Sequence, residues 1–244
     1  MDRQESLLNR AIYSFYWRVV HPLSPSYRRC VYNGVEVNQT IKYCHLPFDP
    51  SSQYRPSGAQ NIPDYESSLC EGLSRSVRPS DRVVIVGGGF GVTTVHAARL
   101  TGSTGHVTVY EASEERFSDL QTAIHLNEVE GRVEAILGVV GEGVKVYGEK
   151  TPRETSPEDL PSCDVLELDC EGAETEILQK MKLEPRSILV ETHGFRGAPT
   201  EEVVTIMEKK GYNVEVIGVA EPRIRNFCIK KDIKVVLGTK DNSS

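Results

Sequence analysis

No apolar run in the 244 residues approaches the ~18 that a membrane-spanning helix needs. A basic excess is also missing. Twenty-eight Lys and Arg stand against 35 Asp and Glu, for a net charge of −7, and this argues against a dedicated nucleic-acid binder. Cysteines are few and badly spaced for metal. Cys30, Cys44, Cys70, Cys163, Cys170 and Cys228 include no CxxC pair, so they read as reduced thiols and give no zinc site. The opening MDRQESLLNR has none of the layout of a signal peptide. Internal repeats and low-complexity tracts are absent. What remains is a cytoplasmic globular protein, 39% hydrophobic and 26% charged. A chain of this size buries roughly 70% of its extended surface and needs no disulfide staple.

Three regions follow from the pattern: residues 1–60, 61–232 and a tail at 233–244. In the first, Leu8, Ile12, Phe15 and Val19 recur at helical spacing, and Arg3, Arg10 and Arg18 mark a basic polar face. One amphipathic helix ending near Pro22 is expected. Through residues 5–22 it either packs, on the main domain or in self-association, or lies peripherally on an anionic membrane. Residues 45–63, rich in Pro, Ser, Gln and Asn, read as a linker.

From residue 82 onward, strands and helices alternate. RVVIV, HVTVYEA, RVEAILGVVG, DVLELD and SILVETH read as strands, with helical patterns after most of them. Ser113 is the expected N-cap of the helix that begins SEERF, and Glu114 and Glu115 suit its positive end. NVEVIGV and NFCIKK read as two further strands close enough to pair antiparallel. The expected fold is α/β: a Rossmann-like, doubly wound, seven-stranded, mostly parallel sheet with an antiparallel C-terminal strand pair, plus a helical N-terminal extension. Ligands of such sheets bind beyond the carboxyl ends of the strands, where the winding reverses.

Strand, glycine-rich turn and helix succeed one another in VVIVGGGFGVTTVHAAR. Such a turn lets a ligand approach the backbone and a helix N-terminus. Glu111, twenty residues after Gly91, ends the next strand, where a carboxylate can accept both ribose hydroxyls. Together they point to an adenosine-containing cofactor. The dinucleotide pattern G-x-G-x-x-G fails at Val92, whereas G-x-G-x-G fits Gly87, Gly89 and Gly91. That spacing favours S-adenosylmethionine over NAD.

A second concentration of signal is DVLELDCEGAETEIL, residues 164–178, where carboxylates crowd the end of a core strand. This segment resembles the D-x-E-G-A-E signature of FkbM-type methyltransferases, a branch of the class I S-adenosylmethionine-dependent enzymes. The resemblance extends from IPDYE at 62–66 to NFCIKK at 226–231. It includes VGGGFG, VYEAS, HLNEVEGRVEAILGVVG and ILVETHG. It departs at Ile85, where the family has an acid two positions before the first glycine, one that helps hold the cofactor's methionine portion.

Methylation of a hydroxyl on a sugar, polyketide or similar small molecule is what the resemblance implies. Such an acceptor needs a base at hydrogen-bond distance. Asp169 and His193, at the ends of neighbouring strands, are the candidates. Glu171 stands beside Asp169, and Glu191 either orients His193 or is simply buried against a partner. The cofactor is expected at Gly87, Gly88, Gly89, Gly91, Thr93, Glu111, Ala112, Val140 and Gly141. Asp169, Glu171, Glu191 and His193 also carry ligand types for a divalent ion, a lesser alternative. Two rival functions remain: an NAD-dependent oxidoreductase, and a binding module that keeps the fold without the chemistry.

Overall fold

The structure, a computed structural model, describes residues 27–40, 61–141 and 153–240. The chain divides into two compact units, residues 1–30 with 38–61 and residues 31–37 with 62–244. The helix expected at 5–22, with the docking expected of it, lies outside the described residues, as does most of the linker. No described helix is long and apolar enough to cross a membrane.

Strands β1 (Tyr27–Tyr32) and β2 (Val35–Thr40) form a two-stranded sheet. Asn33 and Gly34, at φ 46° and 76°, make the turn between them. Two positive φ values in a two-residue loop are the type I′ geometry, whose twist suits the flanking strands. Sequence reading expects only helix and linker before residue 60. The hairpin corrects that, and its signal is the Asn-Gly pair between two strand-forming runs. Its tip belongs to the larger unit: the Asn33 N–H donates to the Ile62 carbonyl at 2.9 Å, and the Asn33 side chain to the Tyr65 carbonyl at 3.1 Å.

The larger unit continues with α1 (Ser67–Ser76), β3 (Arg82–Val86), α2 (Val92–Thr101), β4 (His106–Glu111), α3 (Glu114–Leu126) and β5 (Val133–Val140). After β6 (Arg153–Thr155) come β7 (Val165–Leu168), α4 (Glu174–Lys180), β8 (Ser187–Glu191), α5 (Thr200–Lys209), β9 (Asn213–Val219), α6 (Arg225–Lys231) and β10 (Lys234–Thr239). Eight strands make one sheet in the order β6-β5-β4-β3-β7-β8-β10-β9. The neighbours from β6 to β8 pair parallel, and β10 pairs antiparallel with both β8 and β9. Winding runs outward from β3 to β5, then returns to β7, so it reverses between β3 and β7.

Two expectations are corrected at the C-terminus. NFCIKK is not a strand: it lies in helix α6, with Cys228 buried and its neighbours exposed. The antiparallel partner of β9 is β10, inside what reads as a tail. KVVLGT is apolar enough for a strand covered on both faces, and Val235 and Val236 are fully buried. β6 adds an eighth strand to the expected seven.

Alternate side chains of the strands fill two cores. Val84, Val86, Leu166, Leu168, Ile188 and Val190 pack with Ile177 and Leu178 of α4 and Val203 and Met207 of α5. On the other face α1 lies so close to β8 that a Cβ at Gly72 would collide with Leu189. Ser113 caps α3 as expected, accepting from the Arg116 N–H, with Glu114 and Glu115 in the first turn. These packed layers fix where the carboxyl ends of β3, β4, β5, β7 and β8 open.

Candidate functional site

A cleft of about 520 Å³ opens at those carboxyl ends. Gly87, Gly89, Glu111, Ala112, Val140, Asp169 and Glu171, all expected at the site, line it. Gly88, Gly91, Thr93, Gly141 and His193 do not. Gly88 and Gly91 pack on Leu120 of α3. Thr93 is buried in the first turn of α2, and the Gly141 N–H donates to the Thr155 carbonyl at 3.1 Å, towards β6. His193 stands behind Asp169.

The glycine turn is built to let two strand ends meet. Gly87 has φ 105°, and a Cβ there would strike the Asp169 carbonyl. Its N–H donates to the Tyr110 carbonyl, while the Asp169 N–H donates to Val86, both at 2.8 Å. Gly89 also has positive φ but faces open space, which leaves the backbone accessible to a ligand. Glu111 is fixed from both sides. Its Oε2 accepts from the Gly89 N–H at 2.9 Å and its Oε1 from the Ser113 N–H at 2.7 Å.

Across Gly87 lies the acid end. Asp169 follows β7 directly. Glu174, at the start of α4, is fully buried and accepts from the Cys170 N–H at 3.2 Å and the Gly172 N–H at 2.9 Å. It therefore shapes the turn that presents Asp169, beyond any effect on the helix dipole. Glu174 Oε1 also lies 2.8 Å from His193 Nδ1. The other ring nitrogen, Nε2, faces Asp169 at 3.7 Å, Glu191 at 3.7 Å and Glu171 at 4.0 Å. Burial alone would lower the His193 pKa, but the bond to Glu174 and the charges of Asp169, Glu174 and Glu171 raise it overall. Burial pushes Asp169 up to about 7, against the pull of His193. Glu171 is largely exposed and pairs with Arg196 Nε at 2.8 Å.

Sequence reasoning misses several participants. Tyr65 and Glu66, just before α1, line the cleft, with Phe90, Arg116 and Arg196. The Arg116 guanidinium lies 4.2 Å from the centre of the Phe90 ring, and Tyr65 and Phe90 pack edge to face. Glu66 is raised well above the usual carboxylate range by burial and by the charges of Asp169 and Glu167. The largest omission is Glu167, in the middle of the apolar run of β7. It is completely buried, its two carboxylate oxygens have no close hydrogen-bond partner among the described residues, and the nearby Thr93 hydroxyl offsets only part of that cost. Burial pushes it up to about 8. The visible signal was one acid interrupting Val165, Leu166 and Leu168.

Ile85 is fully buried and sits in register with Glu167 on the adjoining parallel strand. Paired positions on neighbouring strands point to one face. The carboxylate absent from β3 thus has a counterpart one strand away. An acid at 85 would stand beside a second buried acid, which makes Ile85→Asp a destabilising change rather than a repair.

Asp169, Glu191 and His193 bring three ligand atoms within 4.8 Å of one another, the set that sequence reading proposes for a divalent ion, less Glu171.

The sequence matches no protein-family model and no curated protein. Solved structures are similar in fold. Precorrin-6y C5,15-methyltransferase from Geobacter metallireducens is 15% identical with a TM-score of 0.52, over 74% of this chain and 91% of that one. TYW2 of P. horikoshii, solved in complex with MeSAdo, is 18% identical with a TM-score of 0.52, over 88% of this chain and 70% of that one. At such identities the likeness is one of fold. The chain has the Rossmann-like fold seen in these structures, with a mostly parallel central sheet and an antiparallel C-terminal pair.

Proposed function

We propose that the protein is an S-adenosylmethionine-dependent O-methyltransferase of FkbM type, acting on a hydroxyl of a sugar or other small molecule. The charge of the cleft carries this assignment. Glu66, Glu167, Asp169 and Glu191 gather beside the glycine turn, each raised by burial, and Asp169 further raises both Glu66 and Glu191. An incoming pyrophosphate would make their ionisation still costlier, whereas a sulfonium with its ammonium group would favour it. The same contrast disfavours NAD. Glu111 at one end, open backbone at Gly89 and, at the other end, Glu66 and Asp169 with Glu167 buried beneath the lining suit the three parts of such a cofactor: ribose, linking chain and amino group.

When bound, the cofactor supplies an electrophilic methyl group. The protein must align the acceptor and take its proton. Asp169 is the base. A carboxylate raised to about 7 is matched to that task near neutral pH. His193, its Nδ1 held by Glu174, favours the ionised form of Asp169 and orients it. Glu167 holds the amino group in place of the acid that Ile85 replaces. A binding module without turnover is the second possibility, and Ile85 is what favours it.

Calorimetry with S-adenosylmethionine and NAD tests the cofactor, with binding of the former alone expected. Heat with NAD only would overturn the assignment. A screen of metabolite extracts for methyl uptake then tests turnover. A chelator should leave that turnover unchanged. Loss restored by magnesium would make Asp169 a ligand instead of a base.

A further inference from the structure

The connection between β9 and β10 combines three properties that the methyl-transfer site does not use. First, its apolar side chains are outside. Ile224, Phe227 and Ile229 are about half exposed, while Cys228 alone anchors the helix inward. Helix α6 is held by its ends and by that single buried residue, not by a buried apolar face. Second, residues 222–231, PRIRNFCIKK, hold four basic side chains and no acid, in a chain whose net charge is −7. Arg225 and Lys230 form no ion pair with a described residue, and Lys231 lies 5.3 Å from the centre of the exposed Phe195 ring. The flanking acids are engaged elsewhere. Asp232 accepts from Thr200 and pairs with Lys234, and Glu221 accepts from the Glu66 N–H and pairs with Arg223.

Third, the connection stands at the edge where the cleft opens. Lys234 pairs with Val219 and Val235 with Glu191, so residues 220–233 emerge beside the carboxyl end of β8. The Gly194 N–H donates to the Asp232 carbonyl at 3.1 Å, which ties α6 to the loop after His193. Phe195 and Arg196, on that loop, extend the same surface towards the cleft.

Exposed Ile and Phe interleaved with Arg and Lys are what an interface of acyl chains and anionic headgroups accommodates: the rings and branched chains enter, and the cations stay among the headgroups. A protein of net negative charge would otherwise be repelled from such a surface. We propose that Ile224, Phe227 and Ile229 of the β9–β10 connection, with Arg225, Lys230 and Lys231, dock the protein on an anionic lipid bilayer, with the cleft facing it. This docking does not depend on which cofactor the cleft binds.

Full-length protein is sedimented with vesicles of phosphatidylglycerol and phosphatidylcholine, and with phosphatidylcholine alone. Binding to the anionic vesicles only is expected, weakening as salt rises. The double change Ile224→Ser with Phe227→Ser should weaken it by about tenfold or more, and Arg225→Glu with Lys230→Glu should abolish it. Neither pair touches a buried side chain, so melting temperatures should stay near the wild type. The basic segment at 5–22 is kept in every variant. Variants that bind as tightly as the wild type would therefore place the docking elsewhere and overturn the proposal. No binding by the wild type, or equal binding to uncharged vesicles, would overturn it too. So would a wild-type dimer that becomes monomeric in the Ser variant without vesicle binding in either, because the face would then join two copies.

Discussion

The two ends of the cleft meet at Gly87 but are built on opposite principles. At the Glu111 end, both carboxylate oxygens already accept backbone N–H groups, and the side chain is held in place before any ligand arrives. At the other end Glu167 has no close hydrogen-bond partner among the described residues, with only the Thr93 hydroxyl near enough to offset part of its burial, and Asp169, Glu66 and Glu191 are kept near it by the folding of β7, β8 and the entry to α1. Satisfied acids make a rigid template. Unsatisfied ones store an electrostatic cost that only a proton or an incoming cation removes. The first end reads shape, and the second reads charge.

The largest expected effect separates chemistry from binding at the charged end. Asp169→Asn keeps the shape and removes the proposed base, so turnover of the acceptor found by methyl uptake should fall at least ~100-fold. His193→Gln should also slow turnover, but less, because it only supports Asp169. If Asp169→Asn stays active while His193→Gln is dead, the base is His193 and Asp169 only shapes the turn. If both variants remain active, alignment alone drives the transfer and the charged end has been assigned the wrong task.

At the rigid end the expected loss is in affinity. Glu111→Ala removes the hydrogen bonds proposed to the ribose and also frees the Gly89 and Ser113 N–H groups. S-adenosylmethionine should bind more weakly by about 1.5–3 kcal/mol, the range for bonds to a charged acceptor. Calorimetry showing unchanged affinity would mean that the ribose lies elsewhere. Turnover at saturating cofactor should change little, in contrast to Asp169→Asn.

The same division explains what could be read in advance. The glycine turn and Glu111 belong to one strand-helix-strand unit, so their spacing along the chain mirrors their spacing in space. Asp169 and His193 were legible as strand ends. Glu174 was not, because acids in a first helical turn usually serve the dipole, and nothing local says that this one turns inward to His193. Tyr65 and Glu66 reach the cleft through a hairpin tip anchored at Ile62 and Tyr65, a long-range contact without periodicity. Most of the alternating strands were recovered because apolar runs announce them. α6 was misread because N-F-C-I alternates like a strand, and the short run KVVLG passed for a tail.

The smallest effect on affinity, at Glu167, gives the sharpest test of the contrast, because two measurements should move in opposite directions. Burial pushes Glu167 up to about 8 in the folded chain, far above its ordinary value of 4.5. Between those two values the folded state holds a proton that the unfolded state has lost, so stability falls as pH rises through that window. Glu167→Gln removes the linkage and should stabilise the ligand-free protein by about 2–3 kcal/mol at pH 7, seen as a higher melting temperature. Cofactor affinity should meanwhile drop about tenfold, the low end for losing a bond to a charged group. A cationic amino group prefers the ionised carboxylate, so wild-type affinity should climb as pH rises towards 8, with proton release on binding, and the Gln variant should show a much shallower climb. A variant that is stabilised but binds with unchanged affinity and the same pH profile would make Glu167 an isolated cost of the core. The amino group would then have to be held by Glu66, Asp169 or Glu191, and the correspondence with Ile85 across the two strands would carry no function.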